Sequence, residues 1–316
     1  MAQTSDGTVP SEFSSMTDED RAWLETVMRE GVLDEVERMT HIIRILNGED
    51  PIVVFGKEPA TVDDVPYTKD DLGEYLDILL DEMLTRVDQI DNAQTWVKLD
   101  GLPPLVAHME NARPSTRALA VEVFATVVQN NTFCQDAALK IETLLPLLMR
   151  MATTDDDQTC RVRGLLGISC LIRGHELGET KFIEEFNGVD ALKSILSDEA
   201  SPLRLQRKAL FLMRYFVQSS LQHSESIRCH GFPWMEMLKL MATDDIELRE
   251  GALFTVQYYL EHGEAFQDDF APWKAVVHVI LNSRVAEIEL LTDPQEKEDA
   301  QTEFETIKSI QMHVLP

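Results

Sequence analysis

Positive charge is what this 316-residue sequence most lacks: 28 Lys and Arg stand against 56 Asp and Glu, a formal charge of -28 at pH 7. Such a chain repels the phosphates of nucleic acid and of anionic membranes, so neither is expected as a partner. Long apolar runs are missing too. No stretch approaches the roughly 18 residues that a membrane-spanning helix needs, and the opening MAQTSDGTVPSEF has neither the basic region nor the apolar core of a secretory signal. Cysteine is scarce: Cys134, Cys160, Cys170 and Cys229 form no C-x-x-C pair and join no His cluster at metal spacing, which makes them buried free thiols. A soluble protein of the cytoplasm or nucleus is expected, with no metal.

The chemistry-bearing motifs are missing as well. There is no Gly-rich phosphate loop, no H-E-x-x-H and no G-x-S-x-G. The acidic pairs Asp155 with Asp156 and Asp244 with Asp245 fall where turns between helices are expected, and they read as solvated turns rather than an acid and a base. The expectation is a protein that is not an enzyme and carries no cofactor.

What is present is an apolar content of 44%, enough for a sizeable core, and a repeat. Gly101, Gly188 and Gly231 share one context, Leu-Asp-Gly-Leu-Pro, Phe-Asn-Gly-Val-Asp and Cys-His-Gly-Phe-Pro, each read as a helix end with a left-handed Gly followed by a new helix. Gly188 and Gly231 are 43 residues apart and Gly101 and Gly188 are 87 apart, about two units. The absent middle signal falls near Ile141 to Pro146. A second series keeps step with the first: apolar segments begin at Val121, Gly164, Ala209 and Ala252, spaced 43, 45 and 43 residues. They are apolar on most faces, as helices covered on several sides must be. Basic steps such as Arg117, or Arg161 with Arg163, precede them.

A period near 43 residues, with no alternating strand pattern, predicts an all-α, armadillo-like α-solenoid of about four to five three-helix repeats. Because end repeats need covers, the chain divides into a flexible tail (1–15), N-terminal capping helices (16–47), a Pro- and Gly-broken linker (48–67), the repeats (68–284) and a C-terminal capping helix (285–316). The first capping helix starts at a capping box, Thr17 to Asp20, ahead of Trp23; the second carries Val36, Met39, Ile43 and Leu46. Trp96, Trp234 and Trp273 lack the Asn partners of a peptide-clamping ladder and read as packing residues.

The run Asp91 to Leu105, the string Thr126-Val-Val-Gln-Asn-Asn131 and above all Arg161-Val-Arg-Gly-Leu-Leu-Gly-Ile-Ser-Cys-Leu-Ile-Arg173 resemble the Hsp70-binding-protein and Fes-type armadillo nucleotide exchange factors, in their animal cytosolic form. The likeness extends from about residue 16 to 316, and departs from the family in the missing second turn Gly and in Gly164 and Gly167, which weaken helix propensity. The resemblance implies a co-chaperone whose concave face grips the nucleotide-binding domain of a seventy-kilodalton heat-shock chaperone and speeds ADP release, hence client release; a solenoid with polar caps is also expected to be a monomer. It also implies a role for the N-terminal tail in freeing clients. The ending Met312-His-Val-Leu-Pro316 is not a retention signal, which disfavours the secretory-pathway branch. Polar side chains recurring at the ends of apolar helices nominate Asn92, Gln129, Asn130, Asn131, Arg163 and Arg173 for the partner-binding surface, with capping as the competing role for Asn130 and Asn131. A generic armadillo scaffold without exchange activity stays open as the alternative.

Overall fold

The computed structural model describes residues 35–55 and 72–314, which are helical with no strand among them. Residues 35–46 form α1 and Pro51–Phe55 form α2. After α3 (Leu72–Val87) come four three-helix units. The first holds α4 (Ile90–Lys98), α5 (Leu102–His108) and α6 (Pro114–Val128), and the second α7 (Thr132–Ala138), α8 (Leu144–Thr154) and α9 (Gln158–Ile172). In the third, α10 (Glu176–Thr180) continues through a π turn (Lys181–Glu185) before α11 (Gly188–Ser197) and α12 (Leu203–Ser219). The fourth holds α13 (Leu221–Cys229), α14 (Trp234–Met241) and α15 (Ile246–Glu261). The chain closes with α16 (Glu264–Phe270), a short 3-10 turn, α17 (Lys274–Glu289), α18 (Pro294–Asp299) and α19 (Gln301–Val314).

Side-chain caps start several of the helices. The Asp157 and Asp245 carboxylates accept from the backbone N–H of Cys160 (2.9 Å) and Leu248 (3.0 Å), and Asn131 and Ser220 cap α7 and α13 in the same way. The third helix of each unit stacks on the next, α3 on α6, then α9, α12, α15 and finally α19. In α6, Ala120, Val121, Val123, Phe124, Val127 and Val128 are all fully buried, which is why the segment is apolar around most of its girth. The second helices α8, α11, α14 and α17 form a row behind.

The basic steps and the acidic turns turn out to be partners. Arg117 of α6 donates to Asp155 (2.7 Å) and Asp156 (2.8 Å), Arg161 of α9 to Asp198 (3.2 Å), and Arg207 of α12 to Asp245 (2.5 Å). Each pair clasps the third helix of one unit to the turn before the third helix of the next. The acidic turns are therefore not simply solvated: Asp155 is half-buried, and Arg117 outweighs the burial to hold its carboxyl below the usual range.

The turn glycines need a different correction. At the first and third corners the left-handed residue is Asp100 (φ 58°) or Asn187 (φ 54°), not the Gly. Gly101 and Gly188 are required because an aromatic ring lies on them: a Cβ would sit 2.3 Å from the Trp96 indole and 2.4 Å from the Phe182 ring. Only at Gly231 (φ 82°) is the Gly itself left-handed. The second corner makes its turn without Gly, and α7 has no aromatic in its last turn. Gly164 and Gly167 likewise mark close approach, with added Cβ atoms 2.9 Å from the Ala152 nitrogen and 3.0 Å from Val121 Cγ1.

Both ends are fastened by an arginine–glutamate–arginine triad. Glu82 of α3 accepts from Arg38 of α1 (2.8 and 2.6 Å) and from Arg86 (2.9 Å). Glu303 of α19 accepts from Arg249 of α15 (2.8 and 3.3 Å) and Arg284 of α17 (2.7 and 3.0 Å). The α1 face is buried through Met39, Ile42, Ile43 and Leu46. The capping box at Thr17, Trp23 and the N-terminal tail lie outside the described residues. Of the stretch expected as a linker, the described part contains α2, whose Phe55 ring packs edge-on against His41 of α1. The boundary at 284–285 falls inside α17, because α17 ends the second-helix row while α19 supplies the last third helix. Trp96 and Trp234 are buried, and Trp234 stacks with Trp273 at 6.4 Å.

Candidate functional site

Because a third helix is covered on three sides, the residues left open on it form a single ridge. On α12 that ridge reads Arg204, Lys208, Phe211, Tyr215, a spacing of four, three and four that keeps one face. On α9 it reads Arg163, Leu166, Cys170 and the capping residue Arg173. The two ridges meet. The Arg173 guanidinium lies over the Phe211 ring at 4.8 Å and over Tyr215 at 5.0 Å, and Arg214 approaches the Phe211 ring at 5.8 Å.

The platform beneath Arg173 is fixed from below. Tyr215 donates its hydroxyl to Glu179 (2.5 Å) and accepts from the Gly174 N–H (3.0 Å), while Glu179, buried, accepts from that same N–H at 2.9 Å. Burial and this carboxylate push the Tyr215 phenol up, so it stays a neutral donor. Phe211 is 42% exposed, a large apolar ring facing solvent between cations. Burial, together with Arg204 and Arg163 nearby, pulls the Lys208 ammonium below its ordinary pKa.

Of the residues nominated from sequence, the structure brings Arg163 and Arg173 to this face; Arg163 pairs with Glu122 of α6 at 2.5 Å. Gln129 is exposed at the end of α6. Asn92, Asn130 and Asn131 serve the backbone: Asn92 donates to the Arg86 carbonyl (3.0 Å), Asn130 holds the left-handed turn (φ 52°), and Asn131 accepts from the Cys134 N–H (3.4 Å). Sequence reasoning missed Arg204, Lys208, Phe211, Arg214 and Tyr215. Their signal was available in LRLQRKALFLMRYF, where a cation–aromatic row faces away from Leu205, Ala209, Leu212 and Phe216.

No group of His, Cys, Asp and Glu among the described residues could hold a metal ion. Burial pushes the thiols of Cys134 and Cys160 up to about 11 and about 12, away from reactive thiolates. A cavity of about 770 Å³ opens on the second-helix side, but its walls are mainly aliphatic, Leu139, Leu145 and Leu171 among them, and its Arg150 is held by Glu110 at 2.5 Å. No helix among the described residues is long and apolar enough to cross a membrane.

Residues 92–230 match the model of the SIL1/FES1/HPBP1 C-terminal domain, a span that runs from α4 through α13 and contains both ridges. The chain is 26% identical over 242 residues to Hsp70-binding protein 1 of Mus musculus, covering 75% of this chain and 64% of that one. It is 25% identical over 194 residues to the Hsp70 nucleotide exchange factor FES1 of Candida glabrata, covering 60% and 64%. The chain thus spans under two thirds of the length of these curated relatives. Among solved structures, a designed armadillo repeat protein in complex with the peptide (KR)4 superposes with a TM-score of 0.62 at 14% identity, covering 85% of this chain and 99% of that one, which shows the fold alone.

Proposed function

We propose that this chain, whose residues 92–230 match the model of the SIL1/FES1/HPBP1 C-terminal domain, is a member of that family, binds the nucleotide-binding domain of a seventy-kilodalton heat-shock chaperone on its third-helix face and promotes ADP release. The observation that carries the reading is where the family match lies: it takes in α9 and α12, the two helices whose open ridges form the cation–aromatic surface. Relatives of this chain bear names that state Hsp70 binding or Hsp70 nucleotide exchange.

The mechanism needs no catalytic group. A rigid array of stacked helices offers one surface, and a surface that fits the opened, nucleotide-free arrangement of the partner better than the closed one shifts the population toward the open form. By linkage it weakens ADP by the factor that ADP weakens it, and couplings of about 1 to 3 kcal/mol give roughly 5- to 150-fold. Client release follows from the faster cycle. The reading carries with it a monomer acting in the cytoplasm or nucleus.

A generic armadillo scaffold or adaptor without exchange activity is the second reading, because the solenoid fold by itself fixes no function. Stopped-flow release of a fluorescent ADP analogue from purified Hsp70 separates them. Acceleration by this protein supports exchange; an unchanged rate leaves the scaffold.

A further inference from the structure

In a chain with twice as many acids as bases, an arginine without a carboxylate is unusual. Of the described arginines, Arg38, Arg44, Arg86, Arg113, Arg117 and Arg150 all pair with Asp or Glu. So do Arg161, Arg163, Arg207, Arg228, Arg249 and Arg284. The exceptions among the described residues are Arg173, Arg204 and Arg214, and all three lie on the surface where α9 meets α12, with Lys208, also without an ion-pair partner, between them. Had these cations served to clasp the repeats, they would have found partners as Arg117, Arg161 and Arg207 did.

We infer that this patch is an acceptor for carboxylates presented by the partner, so that the chaperone contributes an acidic surface centred on Arg173, Arg204, Lys208 and Arg214 with Phe211 as the apolar anchor. The inference rests on the function proposed above and names the chemistry of its contact. Three physical features favour it. Stacking on Phe211 and Tyr215 orients the Arg173 guanidinium while leaving its N–H edge free for a carboxylate fork, so little ordering remains to be done on binding. Burial first, and then the neighbouring Arg204 and Arg163, disfavour charge on Lys208, and incoming anions relieve the repulsive part of that cost. An exposed aromatic ringed by arginines has the composition of an interface hot spot. The flanks are acidic or neutralised: Glu122 holds Arg163 on the α6 side, and on the α15 side the small cavity that Phe211 and Arg214 border is closed by Glu250 and by Glu247, which pairs with Arg207. An acidic partner is thereby repelled from the flanks and confined to the centre.

The experiment titrates the purified nucleotide-binding domain of Hsp70 with the intact protein at two ionic strengths. Wild type is expected to lose affinity as salt rises. R204E combined with R214E is expected to weaken binding at low salt by at least about tenfold and to flatten the salt dependence, while K140E, a reversal at an exposed lysine on the α7–α8 turn, changes neither. R204Q with R214Q, a milder change on the same surface, is expected to fall between. Folding of each variant is checked by its thermal midpoint, and the salt dependence of wild type tests the idea without any substitution. Tight binding by wild type that ignores salt and survives both double variants overturns the inference and leaves the exchange function standing. Absence of any wild-type binding overturns the function, and the inference with it.

Discussion

Replacing Glu303 by Gln removes one charge and almost no volume, so its cost isolates the electrostatic fastening of the last helix. The Glu303 side chain is 2% exposed and accepts four hydrogen bonds from two guanidiniums; that of Arg249 is 8% exposed and that of Arg284 24%. After the substitution Arg284 can turn toward water, but Arg249 stays buried without a counter-charge. Breaking a buried pair costs about 3 to 5 kcal/mol, and the relief available to Arg284 places the expectation at the lower end, about 3 kcal/mol. In a repeat array each unit touches only its neighbours, so the loss is expected in α19, α17 and α15 rather than spread along the chain. Hydrogen exchange on the intact protein reads this directly. Amides of α19 should exchange on the order of a hundredfold faster, and those of α6 and α9 little differently from wild type. Unchanged protection in α19, or equal loss in α6, would refute the reasoning.

Two further outcomes follow from the packing. Gly101→Ala drives a methyl into the buried Trp96 indole and is expected to cost about 3 kcal/mol or more. Gly167→Ala meets only side-chain ends of Val121 and Leu148 at 3.0 and 3.1 Å and gains about 1 kcal/mol of helix propensity, so it should stay within about 1 kcal/mol of wild type; urea midpoints compare the two, and equal losses would contradict the ring-on-glycine account. For pH, burial raises the carboxyls of Glu82 and Glu303, but their arginines outweigh it and both lie below the ordinary range. Groups depressed in the folded state contribute stability that is whole above the unfolded value of about 4.3 and is lost as pH falls through the folded value. Calorimetry should show the midpoint falling more steeply below about pH 4.3 in wild type than in E82Q with E303Q; matching slopes would remove these triads from the account.

The period and the third helices were legible in the sequence because full coverage forces an apolar girth, and Val121, Gly164, Ala209 and Ala252 open segments that cannot be surface helices. The clasps were half legible. Arg117 and Asp155 each stood out, but nothing local says that partners 38 residues apart meet. Gly231 was found for the right reason, but Gly101 and Gly188 were not, since a ring lying on Gly101 leaves no trace in the triplet Leu99-Asp100-Gly101, and the left-handed backbone passes to the residue before. At the candidate site Arg163 and Arg173 were named from their place at helix ends. Arg204, Lys208 and Phe211 were not, because a cationic row opposite an apolar row is what any amphipathic helix shows; they stand apart only once the surrounding carboxylates are known to be engaged elsewhere.

The central claim is a difference in affinity between two states of one partner. Equilibrium binding of this protein to purified Hsp70, nucleotide-free and then saturated with ADP, measures it in one pair of titrations. The account predicts tighter binding to the empty chaperone by about 5- to 150-fold, with the complex dissolving as ADP is added. Equal affinities for the two states would contradict it.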